Sequence, residues 1–128
     1  MCGIAGYINN QPLEEKRIYT TLDLMKARGP DNTDFLSQKA FNKHIGLLHS
    51  RLSIIDLDPR SNQPYSFGNY SIIFNGEIYN YLELRKDLEK LGHRFETDSD
   101  TEVLIKSFIE YGEDCVNSFN GMWAFAIW

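Results

Sequence analysis

The second residue of the chain is a cysteine, which directly follows the initiator methionine. If Met1 is removed, Cys2 carries both a thiol and a free α-amine, and an α-amine has an unperturbed pKa of about 7.7–8.0. The amine can then act as general base for its own side chain, with no histidine partner. Gly3 and Gly6 would let the backbone pass close to a substrate. The alternative is a small residue at the start of an edge strand, and residues 1–6 alone favour neither interpretation.

The composition is that of an ordinary soluble domain. The chain has 128 residues, of which 42% are hydrophobic and 24% are charged, so we expect one domain over residues 1–128 with a real core. A net charge of −5 argues against nucleic acid as a partner. No apolar run approaches the roughly 20 residues of a membrane span, and the N-terminus lacks the pattern of a signal peptide. With only two cysteines there is no disulfide framework, which favours the cytoplasm.

Apolar periodicity predicts a mixture of helices and strands. The predicted strands cover residues 4–8, 35–40, 45–49, 70–74, 94–96 and 122–128, with residues 51–55 continuing the third as extended chain. The predicted helices cover residues 13–26, 80–91 and 99–111. The residues expected to face the core from the last two helices are Leu84, Leu88, Leu91, Val103, Leu104, Phe108 and Ile109.

Turn and cap signals divide these elements. Asn75-Gly76 is a strong turn signal after the strand that ends at residue 74. Asn80 and Ser99 each stand three residues before a glutamate, which is the spacing of a capping box. The final segment, residues 122–128, is almost continuously apolar, and a strand of this kind expects neighbours on both edges. We therefore expect a fragment cut inside a sheet, which self-associates, with a homodimer as one outcome.

Two charged residues could hold the opposite ends of a zwitterionic ligand. Arg51 follows a strand and offers a planar fork suited to a carboxylate, although a lone arginine is more often a surface residue. Asp100 could pair with an ammonium group. Alternatively, Asp100 is only an acidic residue in the first turn of a helix, where the helix dipole stabilises it by about 0.3–1 kcal/mol.

The remaining candidates concern catalysis. The amide of Asn75 and the N–H of Gly76 stand side by side and can form an oxyanion hole, although the pair alone favours a plain turn. Residues 28–31 are either a stiff wall of the site or a loop that ends a helix. His49 is expected to be a half-buried strand residue, and Cys115 a packed, inert thiol. No metal-ligand spacing occurs, so no metal is expected.

Taken together, these motifs resemble the glutaminase domain of glutamine-hydrolysing asparagine synthetases. The motifs are residues 2–6, 28–31, 49–54, 75–80 and 99–102, and the closing segment 121–126 also fits. The resemblance covers essentially the whole chain. Ala27 and Asp34 depart from the usual pattern of that family, which affects only the expected shape of two loops.

The resemblance implies an α+β fold, the four-layer αββα sandwich of N-terminal-nucleophile hydrolases with mainly antiparallel sheets, here truncated. It implies that Cys2 attacks the side-chain amide of glutamine and that Asn75 and Gly76 stabilise the oxyanion. Arg51 would bind the α-carboxylate of glutamine, and Asp100 its α-ammonium. The residues so assigned are Cys2, Asn75 and Gly76 for catalysis, and Arg51, Ile55, Asn75, Glu77 and Asp100 for substrate binding.

The resemblance also implies partners outside the chain. No phosphate-cradling glycine loop occurs, so no cofactor is expected in this domain. ATP and Mg would belong to a missing C-terminal synthetase domain that uses the ammonia to amidate aspartate. Two alternatives remain open: a glutaminase domain that serves sugar-acid or aminosugar synthesis, and a catalytically silent module that binds glutamine or a partner chain. A retained Met1 would leave the fragment weak or inactive, because it acylates the amine of Cys2.

Overall fold

The computed structural model describes all residues, Met1–Trp128, and consists of two three-stranded antiparallel sheets with helices packed on them. The strands are β1 (Gly3–Asn9), β2 (Asn32–Ala40), β3 (Lys43–Arg51), β4 (Tyr65–Phe67), β5 (Tyr70–Ile78) and β6 (Gly121–Ile127). The α-helices are α1 (Glu15–Met25), α2 (Tyr81–Lys90) and α3 (Asp100–Tyr111), and the 3-10 turns are Pro59–Ser61 and Gly112–Ser118. No helix has both the length and the apolar character needed to cross a membrane.

The first sheet has the order β1-β3-β2. Strand alternation sends Leu48 to its outer face, where it packs against Ile18 and Leu22 of α1. His49, the next residue of β3, points the other way and bonds to the backbone of Phe74 in the second sheet. The two sheets therefore face each other, and α1 covers the outer side of the first.

The second sheet has the order β4-β5-β6. Its outer face carries the larger apolar core, in which residues of β5 pack against α3 and the turn that follows it. The buried residues of this core are Ile72, Phe74, Ile78, Leu104, Ile105, Cys115 and Phe119. With helices outside both sheets, the layers follow the expected αββα order, which confirms the predicted fold class.

The Asn75-Gly76 turn prediction is wrong, because both residues lie inside β5 opposite Ala124 and Trp123 of β6. A Cβ atom built on Gly76 would stand 2.2 Å from the carbonyl oxygen of Met122. The glycine therefore serves the close approach of two strands rather than a reversal of the chain.

The prediction of a strand at residues 94–96 is also wrong. The backbone N–H groups of Glu96 and Thr97 donate to the carboxylate of Glu102, at 3.0 and 2.7 Å, instead of to a neighbouring strand. Residues 52–55, expected to be extended, are irregular as well, since β3 ends at Arg51.

Two of the expected core residues are on the surface. Leu91 is 55% exposed because it lies past the last turn of α2, and Ile109 is 37% exposed near the end of α3. Ile105 takes the place of Ile109 in the core, with no exposed surface.

One of the two predicted caps is confirmed in its contacts. The Oγ of Ser99 accepts a hydrogen bond from the N–H of Glu102 at 3.3 Å. Asn80 occupies the N-cap position of α2, but its side chain makes no capping bond. Its amide instead donates to the carbonyl of Ser118 and accepts from the N–H of Asn120, both at 2.9 Å, which ties α2 to the chain before β6.

Candidate active site

One cavity of about 210 Å³ lies where the N-terminus meets the ends of β3 and β5 and the first turn of α3. This volume is far above the roughly 10–15 Å³ that one water molecule needs. Seven residues of its wall are the site residues predicted from the sequence, namely Cys2, Arg51, Ile55, Asn75, Gly76, Glu77 and Asp100. Met1 lines the same cavity.

The thiol of Cys2 is fixed by the backbone beyond β3. Its Sγ accepts a hydrogen bond from the N–H of Leu52 at 3.3 Å and lies 3.6 Å from the carbonyl oxygen of the same residue. The carbonyl oxygen of Cys2 accepts from Nε of Arg28 at 3.1 Å. The nucleophile candidate is therefore held on both sides, by the backbone that follows β3 and by the loop after α1.

That loop lies against the end of β3, and none of its residues 28–31 lines the cavity, so it supports Cys2 from outside the cavity wall. A Cβ on Gly29 would stand 2.1 Å from the carbonyl oxygen of Ser50, so only glycine lets the loop lie against β3. The N–H of Asp31 donates to the carbonyl of Arg51 at 3.0 Å, and its carboxylate accepts from the N–H of Ser53 at 2.7 Å.

Arg51 is not a surface residue, since only 5% of it is exposed. Its Nη1 donates to the side-chain oxygen of Asn62 at 2.7 Å and to the carbonyl of Asp58 at 3.1 Å. Its Nη2 donates to the carbonyl oxygens of Asp56 and Ile55. The four terminal N–H groups are thus engaged by one loop, and Nε remains for a ligand. The expected two-pronged capture of a carboxylate would require one of these loop contacts to yield.

The loop that cages Arg51 is itself tied to the segment before α3. The carboxylate of Asp56 accepts from the N–H of Asp98 at 2.8 Å and pairs with Arg60 at 3.2 Å. Burial alone would raise the pKa of Asp56, but these hydrogen bonds and the nearby cation outweigh it and hold the pKa below its ordinary value. The loop around the cation Arg51 is therefore tied, through the carboxylate of Asp56, to the segment that precedes the anion Asp100.

The free edge of β5 explains how Gly76 can serve the site. Alternate residues of a strand point their N–H groups to opposite sides, and the N–H groups of Phe74 and Ile78 donate away from β6. Their acceptors are the side chains of Gln63, at 2.6 Å, and Asp100, at 3.1 Å. Gly76 stands midway between these two residues, so its N–H points to the same side, where β4 no longer runs alongside.

Asn75 lies beside this edge in the cavity wall. Its side-chain oxygen is buried and has no hydrogen-bond partner within the protein. A buried polar atom without a partner costs about 1–3 kcal/mol, and this acceptor faces the cavity wall, where a ligand could donate to it.

Asp100, the first residue of α3, supplies a buried anion. Only 5% of it is exposed. Burial raises the pKa of Asp100 to about 6, and the negative charge of Glu77 adds to this, while hydrogen bonds from backbone N–H groups such as that of Ile78 act in the opposite direction. No cation of the protein neutralises it in a salt bridge. The geometry suits a ligand that brings a positive charge of its own.

His49 is fully buried, which corrects the expectation of a half-buried residue. Its Nε2 donates to the carbonyl oxygen of Phe74 at 3.2 Å. Burial lowers the pKa of His49 to about 4, and the positive charge of Arg51 contributes, so the ring is neutral at physiological pH. It braces one sheet against the other and is not bonded to the thiol of Cys2.

Sequence reasoning missed two residues of the site. Leu52 contacts the thiol through its backbone, so its side-chain type carries no signal. Gln63 is buried in the cavity wall and bonded to Phe74, yet it stands in an irregular loop without any motif. Elsewhere, no group of three or more histidine, cysteine, aspartate or glutamate residues is arranged to hold a metal ion.

The family model of the glutamine amidotransferase domain matches residues 1–128. The chain belongs to this family. This glutamine amidotransferase domain is 42% identical over 135 residues to asparagine synthetase [glutamine-hydrolyzing] 3 of Bacillus subtilis, and 43% identical over 135 residues to asparagine synthetase [glutamine-hydrolyzing] 1 of the same organism. Both alignments cover 100% of the domain and 21% of the relative.

A putative asparagine synthetase [glutamine-hydrolyzing] 2 of Methanocaldococcus jannaschii is 39% identical to the domain over 144 residues, which cover 99% of the domain and 27% of that relative. The domain thus spans between a fifth and about a quarter of the length of these relatives, as expected for the glutaminase half of such a protein. The predicted resemblance is confirmed.

Proposed function

We propose that the domain hydrolyses glutamine to glutamate and ammonia, with Cys2 as nucleophile after removal of Met1. The observation that carries the proposal is the convergence of different groups on one cavity: a thiol, an unpaired edge N–H at Gly76, a fixed cation at Arg51 and a buried anion at Asp100. A zwitterionic amide substrate requires this combination.

The chemistry needs no group from outside the domain except water. The sulfur of Cys2 bonds to the side-chain carbonyl carbon of glutamine, while the α-amine of Cys2 takes the thiol proton. The tetrahedral oxyanion receives hydrogen bonds from the N–H of Gly76 and the amide of Asn75. Its collapse breaks the carbon–nitrogen bond, and the amine returns the proton to departing ammonia. Water then hydrolyses the thioester, which releases glutamate and restores the thiol.

Recognition of the α-carbon end would use the two charged walls. The α-carboxylate would meet Nε of Arg51, or displace one of the loop carbonyls such as that of Ile55 from the guanidinium. The α-ammonium would sit by Asp100 and Glu77, and its charge would lower the pKa of Asp100 again. Below about pH 6, where the carboxyl group of Asp100 is largely protonated, binding would therefore be coupled to the loss of its proton.

Removal of Met1 is the condition for this chemistry. While Met1 is attached, the nitrogen of Cys2 is an amide and cannot accept the thiol proton, and Met1 also occupies part of the cavity wall. Ammonia release from glutamine should therefore appear only in protein whose intact mass lacks Met1. Cys2→Ala should abolish it.

Cys115 provides the matched control for this experiment. It is buried, and burial raises the pKa of its thiol, so Cys115→Ala should leave ammonia release unchanged. Ammonia release that survives Cys2→Ala, or that does not depend on the loss of Met1, would contradict the assignment of the nucleophile.

For the whole protein, we propose that the ammonia passes to a synthetase domain that binds ATP and Mg and amidates aspartate. The names of the relatives, which are asparagine synthetases, support this choice. The test is product analysis with the longest natural chain that carries the domain, given glutamine, ATP and either aspartate or a sugar acid. Amidation of the sugar acid alone would overturn the choice of aspartate.

The low cysteine count of the chain fits a cytoplasmic setting.

The outer edge of β6 supports self-association of the isolated domain. β6 is the last strand of its sheet, so one row of its backbone groups has no partner. A second copy could pair with it in a homodimer. Sedimentation analysis should then show dimers at micromolar concentration, and a monomer throughout would contradict this proposal.

A further inference from the structure

Gln63 connects the two walls of the cavity by direct side-chain bonds. It stands in the loop between the 3-10 turn Pro59–Ser61 and β4, and only 5% of it is exposed. Its Oε1 accepts from the N–H of Phe74 at 2.6 Å, and its Nε2 donates to Oγ1 of Thr101 at 3.1 Å. Both bonds are buried, which makes them costly to break.

Each partner of Gln63 is the immediate neighbour of a site residue. Phe74 precedes Asn75 on the strand that presents the oxyanion donors. Thr101 follows Asp100 in the first turn of α3, and only 4% of it is exposed. One side chain thus spans the distance between the catalytic strand and the helix end that would bind the α-ammonium.

Nothing else in the structure replaces these bonds. β4 begins opposite Ile72 and runs away from Phe74, so no residue of β4 can accept from the N–H of Phe74. The residue before Gln63 is Asn62, whose side chain holds the guanidinium of Arg51 at 2.7 Å. Residues 62 and 63 of this loop therefore contact the strand that carries the oxyanion donors, the helix that carries Asp100, and the guanidinium of Arg51.

We propose that Gln63 is a positioning residue, which fixes the oxyanion donors relative to the carboxylate that binds the ammonium group. This proposal rests on the proposed glutaminase function. It acts through Phe74 on the placement of Asn75 and Gly76, and through Thr101 on the placement of Asp100. Loss of the bond to Phe74 should then lower kcat, and loss of the bond to Thr101 should raise the KM for glutamine.

The test uses the longest natural chain that carries the domain, with Met1 removed, and measures ammonia release against glutamine concentration. An electrophilic glutamine analogue that alkylates the Cys2 thiol counts the folded sites, so that kcat is expressed per active site. Gln63→Leu, which removes both bonds, should lower kcat by about 10- to 100-fold, because small displacements of oxyanion donors have effects of this size.

Thr101→Val removes only the bond to α3 and keeps the one to Phe74. It should leave kcat within about threefold and raise KM by about three- to tenfold, the size expected for one hydrogen bond. Thr101→Ser retains the hydroxyl and should behave as the parent protein. This pair tests the coupling even if Gln63→Leu fails to fold.

Ser107→Ala is the control for a purely structural effect. Its Oγ donates to the carbonyl of Val103 within α3, away from the cavity, so its loss should lower Tm with kcat per site unchanged. The inference is overturned if Gln63→Leu retains kcat within threefold, changes KM alone, or if Thr101→Val equals the parent. A parent protein that releases no ammonia would instead refute the proposed function itself.

Discussion

Replacing Asp100 by asparagine should stabilise the unliganded protein at neutral pH while weakening its affinity for glutamine. The pKa of Asp100 rises from 3.8 to about 6, mainly through burial. That difference of about two units, at 1.36 kcal/mol each, means that ionised Asp100 costs on the order of 3 kcal/mol of folding free energy. Asparagine carries no charge and can still accept the hydrogen bond from Ile78.

The helix dipole reduces this gain. A negative charge in the first turn of α3 is favourable by about 0.3–1 kcal/mol, and asparagine gives that up. The expected net gain is about 2 kcal/mol above pH 7, or a rise in Tm of about 5–10 °C. Asp23 is an exposed aspartate on α1, so Asp23→Asn is a matched control that should change stability by less than about 0.5 kcal/mol.

The pH dependence provides a second and sharper criterion. Because the folded pKa of Asp100 lies above its unfolded value, the cost is fully present above about pH 6 and absent below about pH 4. His49 has the opposite effect, since its folded pKa of about 4 lies below 6.5 and stability is lost as the pH falls through this range. Asp100→Asn removes the Asp100 effect and keeps that of His49, so acidification should destabilise the variant more steeply than the parent.

Urea unfolding followed by tryptophan fluorescence from pH 4 to pH 8 measures both quantities. Equal stability of variant and parent at pH 7.5 would refute the claim of an unneutralised buried carboxylate. So would a gain of the same size at pH 4. In the active protein, the KM for glutamine should rise in the variant, and in the parent it should rise as the pH falls below about 6.

Two further changes test the packing around the site. Gly76→Ala places a methyl group 2.2 Å from the carbonyl oxygen of Met122, so it should force β5 and β6 apart, with a loss of roughly 1–3 kcal/mol or more in urea unfolding and loss of ammonia release. Lys106→Met leaves the fully buried Glu102 without the cation that now lies 2.7 Å away, and should cost about 3–5 kcal/mol, much of which Glu102→Gln in the same chain should restore.

Local signals were sufficient for most elements of the fold. The pattern of apolar residues predicted β1, β2, β3 and β6, and the helices α2 and α3 end next to glycines at 92 and 112, whose φ angles are 99° and 62°. The exposed positions of Leu91 and Ile109 show the limit of this approach, because periodicity does not tell where the cover of neighbouring elements ends. Similarly, the N–H groups near residue 96 found their acceptor in a side chain of α3, which no strand pattern reveals.

The site residues were predictable to the extent that their chemistry is carried by side-chain type. Cys2, Arg51 and Asp100 have distinctive functional groups, and the structure places all three in the wall of one cavity. Gln63 was not predictable, because its two partners lie 11 and 38 residues away and its role depends on their positions. Glutamine is a common residue in loops, and only the folded structure brings Gln63 between β5 and α3.

Gly76 shows why a local rule can fail at the place where function is located. The Asn-Gly pair favours a turn in isolation, yet the contact with β6 requires a residue without a Cβ inside a strand. The short β4 then leaves that part of β5 without a neighbour, so an N–H that a longer sheet would use remains directed at the cavity. Lengthening β4 would satisfy the backbone and remove the donor. A sheet that is incomplete at this edge is therefore a requirement of the proposed chemistry, and the side chains of Gln63 and Asp100 satisfy the neighbouring N–H groups that the gap would otherwise leave unpaired.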